Sequence, residues 1–157
     1  MNTESQTRAP IRVLFVCTGN SARSIMSEAM LRKHGGSDFK VFSAGVDPRG
    51  INPLTIRVLE EAGLPTRDLR SKSVSEFLGQ QFDYVITVCD NARQSCPVFP
   101  GSYQGYHWGY EDPAEALGTD EERMTVFRSV FTQLGQRIGQ FVVIARRARD
   151  GEPVTIS

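Results

Sequence analysis

Cys17 and Arg23 are separated by five residues in I-R-V-L-F-V-C-T-G-N-S-A-R, the segment from Ile11 to Arg23. A short apolar run rich in β-branched residues ends in the cysteine. A loop of small and polar residues containing Gly19 follows, and Ser24 then opens an apparent helix. A loop that leads into a helix N-terminus presents unpaired backbone N–H groups, so it is suited to surround an anion. Arg23 adds a planar guanidinium fork that matches a tetrahedral oxyanion. The same positive field is expected to lower the Cys17 pKa and give a thiolate. A thiolate aimed into an oxyanion cradle is a nucleophile for phosphate or a phosphate mimic. The spacing alone also fits a buried cysteine at a strand end with a surface arginine on the next helix. The strand before, the glycine within and the helix after favour the active site.

Two further groups carry chemistry. Cys89 and Cys96 bracket D-N-A-R-Q-S, and Pro97 follows. Three cysteines make a poor disulfide framework, and their spacing lacks the close pairs of a zinc site. A dithiol relay beside the Cys17 loop is one reading; a buried strand-end cysteine plus an incidental surface one is the other. In W-G-Y-E-D-P, Trp108 to Pro113, an acidic residue on a rim loop can give a proton to a leaving oxygen. Asp112 can equally be the residue that opens a turn before Pro113. His34 and His107 are read as a helix-terminal and a strand-edge residue, and no metal site is expected.

The elements that must position these residues alternate. Strands are expected at Ile11 to Val16, Lys40 to Ser43, Phe82 to Val88 and Gln104 to Trp108. Helices are expected from Ser24 to His34, from Pro53 behind an Asn52 cap to Gly63, briefly from Ser73 or Ser75 to Leu78, and last behind a Thr119–Glu122 capping box. The last helix carries Val126, Phe127, Val130, Phe131, Leu134, Ile138 and Phe141 at helical spacing, as a core face. This alternation predicts an α/β fold, a four-stranded parallel sheet with helices on both faces. Ligands of such sheets bind beyond the carboxyl ends of the strands, where Cys17 and Cys89 would share one rim. The 157 residues suit one domain, expected over 11–145, with poorly ordered tails at 1–10 and 146–157. Eighteen basic and eighteen acidic residues argue against nucleic-acid or membrane partners drawn by bulk charge. No apolar run suits a membrane span, and Met1 to Pro10 lacks an apolar signal core, so a cytoplasmic monomer is expected.

C-T-G-N-S-A-R-S, S-A-G at Ser43 to Gly45, G-I-N-P at Gly50 to Pro53, F-D-Y-V-I-T-V-C-D-N-A-R-Q-S-C-P and H-W-G-Y-E-D-P together resemble the thioredoxin-coupled arsenate reductases. That family shares its fold with the low-molecular-weight protein tyrosine phosphatases. The resemblance implies Cys17 as nucleophile, Arg23 as oxyanion clamp and Asp112 as general acid. It implies an arsenate-binding loop of Thr18, Gly19, Asn20, Ser21, Ala22, Arg23 and Ser24, in which Asn20 and Ser24 orient the loop and the sulfur. Cys89 and Cys96 would be the disulfide shuttle, thioredoxin the partner that resets it, and no cofactor would be tightly bound. Ala22 stands where many relatives carry an extra cysteine. Lys72 stands where some place an aspartate that, with Asn20, Glu28 and Ser43, holds a potassium ion, which puts such a site in doubt. A plain tyrosine phosphatase, using Cys17, Arg23 and Asp112 alone, and a non-catalytic oxyanion-binding or redox-sensing regulator are the alternatives.

Overall fold

The computed structural model describes residues 9–151, so the expectations for 1–8 and 152–157 lie outside the described residues. Four strands, β1 (Ile11–Cys17), β2 (Phe39–Gly45), β3 (Tyr84–Thr87) and β4 (Gln104–His107), form one sheet in the order β2-β1-β3-β4. All three pairings are parallel, as the α/β alternation requires. Central β1 is apolar without alternation because both of its faces are covered: Val13, Leu14, Phe15 and Val16 are fully buried. β3 is shorter than the expected run. Asp83 N–H donating to Arg12 O and Val88 N–H donating to Val16 O continue its bonding to β1 on either side.

Four α-helices connect and cover the strands: α1 (Arg23–Gly35), α2 (Pro53–Glu61), α3 (Asp90–Ser95) and α4 (Asp120–Arg149). Asn52 Oδ1 accepts from Leu54 N–H at 2.9 Å and caps α2, with Pro53 at its first position. Thr119 and Glu122 form the expected capping box of α4. The buried stripe of α4 begins two residues earlier than the spacing predicts, at Met124, and leaves Val126 and Phe131 half-buried at its edge. On one face of the sheet Phe141 of α4 packs against Tyr84, Tyr106 and Trp108. On the other, Phe42 meets Phe77 and Phe82, and Phe82 meets Phe99.

The domain does not stop at 145. α4 continues to Arg149, and Arg146 and Arg149 both reach the carboxylate of Asp38. These long-range ion pairs hold the last turn of α4 to the chain between α1 and β2, which no local pattern could announce. At the opposite end of the sheet the carboxyl ends of β1, β3 and β4 open on one rim. Trp108, just past β4, packs tilted against Phe15 with ring centroids 5.8 Å apart and so anchors the segment that carries Asp112.

Candidate active site

The loop between β1 and α1 is shaped by its neighbour in space, residues 46–52. Val46 N–H donates to Cys17 O, Asp47 N–H to Thr18 O, Arg49 N–H to Gly19 O and Asn52 N–H to Ser21 O, at 2.8–3.0 Å. In a planar trans peptide the C=O of one residue and the N–H of the next point in opposite directions. Four carbonyls drawn outward therefore turn the N–H groups of Thr18, Gly19, Asn20 and Ala22 inward. The Asn20 N–H shows the result, donating to Cys17 Sγ at 3.2 Å. Asn20 adopts φ 47°, a left-handed conformation that asparagine tolerates better than most residues. Gly45 makes the approach feasible: a Cβ there would stand 2.6 Å from Thr18 O and 2.9 Å from Asn20 N.

Cys17 Sγ lies 2.8 Å from Ser24 Oγ. Asn20 Nδ2 donates to Ser24 Oγ and to Ser43 Oγ, and its Oδ1 accepts from Lys72 N–H at 2.9 Å. Asn20 and Ser24 are fully buried beneath the loop. Their side chains hold the sulfur and the loop backbone from beneath, the orienting role the resemblance implies, while the Asn20 N–H faces inward with the other loop donors. The expected thiolate is corrected. Burial pushes the Cys17 thiol up from its ordinary value, and this outweighs the Ser24 hydroxyl, the backbone of Ser24 and Asn20, and Arg23, which all act to lower it.

Behind this network the Lys72 ammonium is buried. It stands 3.7 Å from Glu28 Oε1 and 3.5 Å from Ser43 Oγ, and it donates to Arg70 O at 2.9 Å. Glu28 also accepts from Ser43 at 2.5 Å and pairs with Arg32. A potassium ion does not fit among Asn20, Glu28 and Ser43 while this ammonium fills the same space and charge. Turnover and melting temperature are therefore expected to change little when potassium is exchanged for a bulky organic cation at matched ionic strength. A large gain specific to potassium would disprove this.

Arg23 is buried against the rim. Its Nη1 donates to Tyr110 O at 2.8 Å and to Val88 O at 3.3 Å, and its Nη2 stands 3.6 Å from Asp112 Oδ2. Asp112 opens a turn, as one of its readings had it: Oδ1 accepts from Ala114 N–H and starts the 3₁₀ turn Pro113–Glu115, while the other oxygen faces Arg23 at the cleft. Cys17, Thr18, Gly19, Ser21, Ala22, Arg23, Cys89 and Asp112 all open on one cleft of about 650 Å³.

Cys89 is the N-cap residue of α3. Its Sγ lies 3.1 Å from Thr18 Oγ1 and accepts from Ala92 N–H at 3.4 Å, and Thr18 Oγ1 accepts from Asn91 Nδ2. Cys96 is not brought to the cleft. It closes the other end of α3, half-buried, and all three cysteines are free thiols. Burial pushes the Cys96 thiol up to about 11 from an ordinary value near 9. Alkylation of Cys96 in the reduced protein is expected to stay slow at neutral pH and to rise only towards pH 11. Because the fold favours the neutral thiol, the stability this contributes is complete below about pH 9 and is lost as pH rises through 11. Titrating the Cys96 peptide by mass spectrometry checks this; reaction at the rate of an open thiol would refute it.

Sequence reasoning missed Arg49, Asn91 and the placement of His107. His107 Nδ1 lies 2.8 Å from Thr87 Oγ1 and Nε2 lies 3.0 Å from Asp90 Oδ1, joining β3 and β4 to the start of α3. For Arg49 the one available signal was its position immediately before G-I-N-P. Among the described residues there is no cluster of three metal-ligating side chains, and no helix is long and apolar enough to cross a membrane.

The fold and the cysteine–arginine loop define the class. Residues 12–151 match the low molecular weight phosphotyrosine protein phosphatases, and the chain belongs to that family. It is 40% identical over 129 residues to an arsenate reductase of Halalkalibacterium halodurans, covering 82% of this chain and 93% of that one. Among solved structures it is similar to the arsenate reductase of Archaeoglobus fulgidus, with a TM-score of 0.68 and 34% identity over 83% of this chain and 98% of that one. The thioredoxin-dependent arsenate reductase of Corynebacterium glutamicum superposes with a TM-score of 0.61 at 29% identity, over 88% of this chain and 67% of that one.

Proposed function

We propose that this chain reduces arsenate to arsenite through Cys17, Cys89 and Cys96, and that thioredoxin resets the relay. The observation that carries the reading is that two cysteines, Cys17 and Cys89, open on one cleft whose backbone donors face inward. A phosphatase needs only the first of them.

Arsenate enters the loop as a tetrahedral dianion, drawn by the inward N–H groups and Arg23. The dianion accepts the Cys17 proton, which removes the difficulty of a thiol held neutral by burial. The sulfur then attacks arsenic, and Asp112 protonates the departing oxygen, which leaves as water. Cys89 next attacks the Cys17 sulfur. The S–As bond breaks, its electron pair stays with arsenic, and arsenite leaves as Cys17 and Cys89 become a disulfide. Cys96 attacks Cys89, returns Cys17 to a thiol and leaves a Cys89–Cys96 disulfide. Thioredoxin, a dithiol, reduces that bond by exchange. All the electrons come from thiols, so the scheme calls for no bound cofactor. It belongs in the cytoplasm, where such thiols stay reduced.

The deciding experiment is arsenate-dependent NADPH oxidation with thioredoxin and its reductase, run beside hydrolysis of p-nitrophenyl phosphate. Oxidation that requires both arsenate and thioredoxin supports the reading. Ester hydrolysis without it would move the site to the phosphatases. The similarity to a thioredoxin-dependent arsenate reductase supports the choice of partner.

A further inference from the structure

We propose that Arg49 is the second oxyanion-recruiting guanidinium of the cleft, and that it selects small inorganic tetrahedral dianions over aryl phosphate esters. This rests on reading the cleft as an oxyanion site. Arg49 lines the cleft, and its backbone is tied to the loop by its N–H on Gly19 O at 2.9 Å. Its Cγ and Cδ lie 3.7 Å from where a Cβ on Gly19 would stand, so the stem runs over the loop itself. A stem packed in this way leaves a head that loses less freedom on engaging a ligand. The head pairs with Asp47 at 3.2 Å, but both side chains are largely exposed, 70% and 67%. Exposed pairs of this kind are weak, so a dianion displaces the carboxylate readily.

The charges of the cleft make this residue matter. Arg23 and Arg49 face three carboxylates there, those of Asp90, Asp112 and Glu115. Arg23 is already engaged with Asp112 and with two carbonyls. Without Arg49 the loop donors would be helped by one committed guanidinium among three carboxylates, which weakens the pull on a dianion. The walls carry no aromatic side chain. The ring of an aryl phosphate would lie against charged and small polar groups and gain little from burial. Charge at the mouth therefore rewards a compact dianion, and nothing in the walls rewards a ring.

The test is protection of Cys17 from iodoacetamide, at a pH alkaline enough to ionise the thiol, by inorganic phosphate and by phenyl phosphate, at low and high salt, in the wild-type chain, Arg49→Gln and Arg49→Lys, mapped on the Cys17 peptide. Arg49→Gln is expected to weaken phosphate binding roughly tenfold, the scale of one charge-assisted hydrogen bond, and to flatten its salt dependence. Arg49→Lys is expected to keep the salt dependence and to lose part of the affinity. Phenyl phosphate is expected to protect the wild-type chain no better than phosphate. In arsenate turnover the Gln variant is expected to raise KM and leave kcat within about twofold. Equal phosphate protection in wild type and Arg49→Gln at low salt would overturn the proposal. So would a lowered kcat at unaltered KM, or phenyl phosphate binding much more tightly than phosphate. A wild-type chain that binds phosphate through Arg49 yet yields no arsenite would sink the proposed function and leave this role standing.

Discussion

Cys17→Ser, Cys89→Ser and Cys96→Ser are each expected to abolish sustained arsenate turnover with thioredoxin, and to stop at three different species. Cys17→Ser forms no adduct and loses arsenate reduction and phosphate-ester hydrolysis together, because a serine hydroxyl in that place is far less acidic than a thiol. Cys89→Ser forms the Cys17 adduct and stalls before any disulfide. Cys96→Ser completes one reduction and stalls with Cys17 and Cys89 joined. The last step is the one the resting fold opposes. Cys89 and Cys96 cap opposite ends of α3. Seven helical steps separate their Cα atoms by about 10.5 Å, and a disulfide needs roughly 4.4 to 6.8 Å. α3 must therefore unwind before Cys96 reaches Cys89. Unwinding would also return Cys96 to water and lower a pKa that burial holds near 11. Pro97 helps, since it cannot extend the helix ladder. Peptide mapping after a single arsenate turnover separates the three arrested species. Sustained thioredoxin-driven turnover by Cys89→Ser or Cys96→Ser would rule out the relay and put the phosphatase reading first.

Asp112→Asn is expected to slow the first chemical step by about 10²- to 10⁴-fold, the usual contribution of a general acid, with oxyanion binding mostly intact. Asparagine can still accept from Ala114 N–H, as Asp112 Oδ1 does at 3.0 Å, so the turn survives the change. What it cannot do is give a proton to the departing oxygen. The substitution therefore separates the turn bond seen in the structure from the proposed proton transfer. Single-turnover formation of the Cys17 adduct reads the chemistry, and protection of Cys17 by phosphate reads the binding. A variant with the wild-type single-turnover rate would leave Asp112 as a turn residue, and Glu111 would be the next acid to test.

Much of this site was legible within a few residues of chain. The apolar run of β1, Cys17 and Arg23 across one loop, the Asn52–Pro53 start of α2 and the Thr119–Glu122 box of α4 are local patterns, and each is where the spacing put it. The strand–helix alternation then implied a parallel sheet, and with it the common rim for Cys17 and Cys89, because parallel strands all end on the same side. Three things were decided only by the tertiary structure. The loop carbonyls of Cys17, Thr18, Gly19 and Ser21 find donors in residues 46–52, so the direction of the cradle was settled by a crossover no short pattern describes. Lys72 meets Glu28 and Ser43, and Arg23 meets Tyr110 and Asp112, across dozens of residues. The Cys17 thiol is pushed up where the loop's positive field had suggested a lowered pKa, because a pKa answers to depth of burial as much as to neighbouring charge. Local sequence determines which residues can do the chemistry; desolvation and long-range contacts exist only once the chain has closed on itself, and they decide in what charge state and from which direction those residues act.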